Sequence, residues 1–191
     1  MSNKNRAPIL VLGVGDTSLG DQGVGIHLLN YLSMLSRRGD DWGGVVELFD
    51  GGTQKLHLLG AIAGRSALIV LDAVSLGCVP GTVYMRRDED VLNLGFRASA
   101  EHDGNAGELL ATVMSLGELP GHVFLVGIEP SPSQTAIGLS ERVRRAIPAA
   151  LEAALYAVEE SLASQPNLRP QFAGVSLLLQ SVEAEGLGSE V

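Results

Sequence analysis

Short apolar runs alternate along this chain with stretches in which apolar residues recur at helical spacing. The short runs predict five strands, at Ile9–Leu12, Val45–Phe49, Ala67–Leu71, Thr82–Arg86 and Val123–Ile128. The periodic stretches predict four helices, at Gln22–Arg38, Leu56–Ala63, Asn105–Leu116 and Ser140–Leu162. This alternation indicates an α/β fold, a single-domain three-layer doubly wound architecture with a mostly parallel sheet flanked by helices.

The length of the chain and a change in composition suggest where that domain ends. A chain of 191 residues fits one domain, and we assign it residues 1–163. Residues 164–191 are rich in Gln, Pro, Gly and Glu, and we expect a flexible or loosely packed tail. We also expect 87–104 to be an irregular polar loop, long enough to suspect function, and Thr82–Arg86 to be an antiparallel edge strand because no helix precedes it.

Polar residues gather where the predicted strands end. Asp16, Asp21 and Gln22 follow the first strand in a glycine-rich turn, and we expect Asp21 to be the N-cap of the first helix. Asp50 follows the second strand and Asp72 the third. Because ligands bind beyond the carboxyl ends of strands in open α/β sheets, these side chains border the predicted functional crevice.

Dinucleotide binding is one hypothesis for this crevice. Gly13-Val14-Gly15 follows a strand, and Asp50 stands where a ribose-binding acid belongs. However, Ser18 occupies the position of the third glycine, and Asp16 and Asp21 would repel a pyrophosphate. A nucleotide-binding enzyme is therefore a distant alternative.

A metal or proton-transfer site is the second hypothesis, made of Asp72, His102 and an oxygen from the Asp21-Gln22 turn. Asp72 ends a strongly apolar strand, so it is either a helix N-cap or a ligand. His102 taken alone is equally well explained as a surface loop histidine. The other three histidines are interpreted as structural, and they are His27, His57 and His122.

Net charge, cysteine content and the N-terminal residues limit the binding partners, the disulfides and the location that we expect. The net charge of −9 argues against nucleic acid and anionic membranes, both of which require a basic face. Cys78 is the only cysteine, which excludes an internal disulfide, and without an identifiable base it is interpreted as an inert thiol. The N-terminal residues lack the apolar core of a signal peptide, so we expect a cytoplasmic protein without membrane insertion.

In combination, these motifs resemble those of the nickel–iron hydrogenase maturation endopeptidases. The segments that carry the resemblance are LVLGVGDTSLGDQGVG, DGGT at Asp50–Thr53, LIVLDAV at Leu68–Val74, PGTVYMRR at Pro80–Arg87, and LVGIEP with IGLS between Leu125 and Ser140. The resemblance covers about Ile9 to Leu162. It implies a protease that removes the C-terminal extension of the hydrogenase large-subunit precursor after nickel insertion.

The resemblance also implies three metal-contacting side chains, which fall on Gln22, Asp72 and His102. Asp72 and His102 are then the catalytic residues, with Asp16, Asp21 and Asp50 as possible support. Nickel is expected to come with the substrate protein rather than to be tightly bound in the isolated enzyme, which we expect to be a monomer. Gln22 departs from the usual Glu or Asp, so a catalytically silent homologue that binds or chaperones the large subunit is the alternative.

Overall fold

The computed structural model describes residues 6–38, 44–52, 55–98, 106–132 and 138–165. Its strands are β1 (Ile9–Val14), β2 (Val46–Gly52), β3 (Ala67–Ala73), β4 (Val83–Arg87) and β5 (His122–Ile128). Its α-helices are α1 (Val24–Arg38), α2 (Lys55–Ile62), α3 (Glu89–Ala98), α4 (Ala106–Ser115) and α5 (Glu141–Ala163). A 3-10 turn, Thr17–Gly23, lies between β1 and α1. Apart from Ser164 and Gln165, the predicted tail lies outside the described residues, so its boundary stays a prediction.

The five strands form one sheet in the order β2-β1-β3-β5-β4. All neighbours are parallel except β4, which pairs antiparallel with β5 at the edge of the sheet, as predicted. The strand that follows β1 in the chain, β2, lies on one side of β1, whereas β3 and the strands that follow it in the chain lie on the other side. The β1–β3 boundary is therefore the topological switch point, where open α/β sheets bind ligands.

The central strands are buried on both faces, and each face packs against its own helices. In β1, Ile9 and Val11 face a core that includes α1 and α5, while Leu10 and Leu12 face a core built with α2, α3 and α4. This arrangement confirms the three-layer fold. Helix α5 begins where the sequence predicts it, and Ser140 is its N-cap, since the Ser140 side chain accepts a hydrogen bond from the backbone N–H of Val143.

The prediction that 87–104 is irregular is wrong in its first part, because α3 occupies Glu89–Ala98. Asp88 redirects the chain with a left-handed φ of 47°, and its carboxylate accepts a 3.0 Å hydrogen bond from the N–H of Val123. Glu89 and Asp90 then lie in the first turn of α3, where negative charge is favourable. The fully buried Val91 anchors this amphipathic helix against the core.

Candidate active site at the carboxyl edge of the sheet

The turn after β1 is shaped by close backbone contacts. Gly15 has a φ of 127°, and a Cβ at this position would lie 2.1 Å from the carbonyl oxygen of Gln22. Asp16 caps the 3-10 turn by accepting hydrogen bonds from the hydroxyl and the N–H of Ser18, at 2.6 and 2.8 Å. These hydrogen bonds lower the pKa of Asp16. Asp16 is half-buried, and these hydrogen bonds help set the shape of the turn that carries Gln22.

Asp21 has a different role from the one predicted. The helix α1 begins only at Val24, after the 3-10 turn, so Asp21 is not its N-cap. Its carboxylate is buried and accepts hydrogen bonds from the N–H of Ser131, at 2.9 Å, and of Ser140, at 2.6 Å. Asp21 thus joins the turn after β1 to both ends of the connection between β5 and α5.

Gln22 and Asp72 lie at the β1–β3 switch point. Gln22 is half-buried in the turn, and α1 starts two residues later, at Val24. A Cβ on Gly25 would lie 2.2 Å from the carbonyl oxygen of Leu71 and 2.4 Å from that of Val14, so this turn of α1 rests on the ends of both strands. Asp72 follows Leu71, is buried, and accepts a 2.8 Å hydrogen bond from the N–H of Ala73.

Two other predicted site residues are Asp50 and His102. Asp50 lies at the same edge of the sheet, exposed on β2, and accepts a 2.9 Å hydrogen bond from the N–H of Gly52. Strand β1 separates it from β3, so it is farther from Asp72 than the turn is. His102 lies outside the described residues, and its predicted convergence with Gln22 and Asp72 stays a prediction.

The remaining histidines and the cysteine lie within the described residues, and their interpretation as structural histidines and an inert thiol stays a prediction. His27 lies half-buried on α1, His57 lies on α2, and His122 begins β5 at the opposite edge of the sheet. Cys78 is exposed in the loop between β3 and β4. Within the described ranges, no three His, Cys, Asp or Glu side chains are grouped so that they could hold a metal ion.

Glu129 is a buried acid that the sequence reasoning missed. It follows β5 directly, and its carboxylate accepts from the N–H of Leu76 at 2.9 Å, from the N–H of Gly77 at 3.1 Å and from the hydroxyl of Tyr84. Burial, together with hydrogen bonds to Cys78 and Glu129, raises the pKa of Tyr84 far above its ordinary value. An acid directly after an apolar strand was the available signal, the same one that identified Asp72.

The described helices include none that is both long and apolar enough to cross a membrane. The sequence and the arrangement of its elements are similar to those of known proteins. The family model HycI, described as hydrogenase maturation protease, matches residues 29–157.

Two curated relatives extend this likeness. The hydrogenase 2 maturation protease of Escherichia coli K12 is 38% identical over 154 residues, which span 80% of this chain and 92% of that protein. The hydrogenase expression/formation protein HupM of Azotobacter chroococcum is 32% identical over 188 residues, which span 96% of this chain and 88% of that protein.

Solved structures agree with the sequence matches. The hydrogenase maturating endopeptidase HybD of Escherichia coli superposes with a TM-score of 0.69 at 37% identity, covering 80% of this chain and 93% of HybD. A hydrogenase 2 maturation peptidase from a Thaumarchaeota archaeon has a TM-score of 0.58 at 30% identity, covering 79% of this chain and 97% of that one. The chain therefore belongs to the hydrogenase maturation protease family and is a protease.

Proposed function

We propose that this protease recognises nickel in the unprocessed large subunit of a nickel–iron hydrogenase and then removes the C-terminal extension of that subunit. The proposal is carried by one observation in this member of the protease family. At the β1–β3 switch point, the turn that carries Gln22 lies against the end of β3, where Asp72 is located. A carboxylate, an amide oxygen and the imidazole of His102 are donors that suit a borderline divalent ion.

In this proposal nickel belongs to the substrate and reports that the large subunit is correctly loaded. Asp72 supplies an anionic oxygen, Gln22 a neutral oxygen and His102 a nitrogen, so the precursor is held with its extension at the carboxyl edge of the sheet. Two strong donors and one amide make a weak site without the precursor's own ligands. The enzyme acts as a cytoplasmic monomer in this proposal.

The test is to incubate the purified protein with nickel-loaded, unprocessed large subunit and to measure the mass of the C terminus of that subunit. We expect cleavage of the loaded precursor and none of the nickel-free precursor. Asp72→Asn and His102→Ala should abolish cleavage while the variants stay folded. Glu152→Gln is the matched control, because it neutralises an exposed carboxylate on α5. Equal cleavage of loaded and nickel-free precursor would refute nickel recognition.

Gln22 decides between the protease and the silent homologue that binds the large subunit. If position 22 only lends an oxygen to a nickel ion held by the precursor, the native chain cleaves and Gln22→Glu changes the rate little. An added anion near a divalent cation is attractive even in a partly solvated cleft, so Gln22→Glu should still increase nickel affinity. If only the Gln22→Glu variant cleaves, position 22 must be a carboxylate and the native chain is a binding homologue.

A further inference from the structure

Glu129 and Asp21 are buried charged groups at this edge that the proposed chemistry does not use. Glu129 follows β5 directly. Its two carboxylate oxygens accept three hydrogen bonds, from the N–H groups of Leu76 and Gly77 and from the hydroxyl of Tyr84. Burying a carboxylate is costly unless such donors compensate it. All three donors come from the β3–β4 loop or from β4, so Glu129 holds the loop that follows Asp72.

The same loop is fixed where it leaves β3. Ala73 is paired with Ile128, and the N–H of Val74 donates to the carbonyl of Ile128 at 3.0 Å. Side-chain packing is tight here, since a Cβ on Gly127 would lie 2.3 Å from a methyl carbon of Val74. The chain after Asp72 is thus bound to the end of β5 at Val74 and to Glu129 at Leu76 and Gly77.

The segment that carries Glu129 also reaches the turn of Gln22. Ser131 lies two residues beyond Glu129, and its N–H donates to the buried carboxylate of Asp21. Asp21 is adjacent to Gln22 in the chain. Residues 129–131 therefore connect the loop after Asp72 at one end with the turn of Gln22 at the other, through two buried carboxylates.

We propose that Asp21 and Glu129 are positioning residues, which set the spacing between Gln22 and Asp72 through the segment 129–131. They do not touch the precursor. The consequence for catalysis rests on the proposed function, in which Gln22 and Asp72 contact one nickel ion, whereas the coupling between the two loops is testable without it. Misplacing a reacting group by about 1 Å can cost about a hundredfold in rate.

The experiment uses Glu129→Gln and Asp21→Asn in the full chain. In each variant an amide NH2 replaces one carboxylate oxygen, so at least one backbone N–H loses its acceptor. Tyr84→Phe is the milder variant, because it removes one donor and leaves both backbone donors on Glu129. Arg65→Met is the matched control, because it removes the hydrogen bonds of a buried side chain to the carbonyls of Ala61 and Ala7 and its ion pair with Glu47 at the opposite edge of the sheet.

Two readouts separate positioning from general stability. The first is the kcat and the KM for the nickel-loaded precursor under conditions where each variant is folded. The second is the backbone amide NMR signals of Gln22 and Asp72, recorded without precursor. We expect Glu129→Gln to lower kcat about tenfold or more with little change in KM, and to move the Gln22 signal through residues 129–131. Asp21→Asn should move the Asp72 signal, and Arg65→Met should change neither kcat nor the signals.

The outcomes are distinguishable. If both variants only lower the urea midpoint, as Arg65→Met does, and leave kcat and the two signals unchanged, the positioning role is refuted. If the wild-type protein cleaves no precursor, the proposed function fails, and the NMR signals alone decide the positioning. Signals that then move across the segment 129–131 support it, and signals that stay in place overturn it. If Glu129→Gln does not fold, Tyr84→Phe is scored by the same two criteria.

Discussion

Gly25→Ala should destabilise the protein strongly, because the new methyl group has no space. It would lie 2.2 Å from the carbonyl oxygen of Leu71 and 2.4 Å from that of Val14. Both are backbone atoms at the ends of parallel strands, so neither can turn aside as a flexible side chain can. Overpacking of this kind costs about 1–3 kcal/mol or more, and the backbone contacts place Gly25→Ala at or above the upper value.

Helix propensity opposes part of this cost. Alanine is favoured over glycine in a helix interior by about 1 kcal/mol, which leaves a net loss of about 2 kcal/mol or more for Gly25→Ala. Gly60 in α2 provides the matched control, because nothing lies within 4 Å of a Cβ at that position. Gly60→Ala should therefore stabilise the protein by about 0.5–1 kcal/mol. The two variants should differ by about 3 kcal/mol.

Urea unfolding at a fixed pH measures this difference. With a slope of about 1–3 kcal/mol per molar urea, Gly25→Ala should lower the midpoint by about 1–2 M, and Gly60→Ala should raise it slightly. Cleavage of nickel-loaded precursor should fall in the folded Gly25→Ala variant, because the start of α1 moves away from Leu71 and takes Gln22 with it. A Gly25→Ala midpoint equal to that of wild type would refute the close approach of α1 to the sheet.

Three further predictions concern stability, the tail and metal content. Burial lowers the pKa of His27 below its ordinary value, so the unfolded chain binds a proton more readily than the folded chain does. The contribution of neutral His27 to stability is therefore present above about pH 6.5 and is lost as the pH falls through the folded pKa. His27→Gln should reduce the loss of unfolding free energy between about pH 7 and 5.5, and an unchanged loss would contradict the assignment. Removing the residues after Ser164 should leave cleavage and the urea midpoint intact. If the truncated protein instead unfolds, the apolar segment of the tail, Val175–Leu179, belongs to the core. Protein purified without added metal should contain less than one nickel or zinc ion per chain by elemental analysis, and a stoichiometric ion would contradict a site completed by the precursor.

Local sequence patterns were sufficient for the layers of the fold. The apolar runs of β1 and β3 are buried on both faces, which is why these strands have continuous apolar sequences. Such runs can be recognised as buried strands without knowledge of the tertiary structure. Helix α3 was missed because its apolar positions are interspersed with charged and polar ones, and Val91 is its one residue in the buried core, among those whose side chains are described. The turn at Asp88 that starts it depends on Val123, which lies in another strand.

The roles of the acidic residues were harder to predict, for a physical reason. Asp16 is explained by Ser18, two positions away, and local geometry suffices. The donors to Asp21 lie 110 and 119 positions away, and those to Glu129 lie between 45 and 53 positions away. A sequence pattern identifies an acid at the end of a strand, but only the fold determines whether its donors are distant backbone groups. This explains why Asp21 was assigned to a cap and Glu129 was missed.

The contacts that shape the turn also explain how the chain accommodates an unusual residue at position 22. Gly15 and Asp16 set the path of the backbone before Gln22, Asp21 fixes it to Ser131 and Ser140, and the contacts described for Gln22 involve its carbonyl. The turn therefore does not depend on the charge of the side chain at position 22. Exchange between amide and carboxylate at this position alters the ligand chemistry while the backbone stays in place, so Gln22→Glu reports on chemistry rather than on folding.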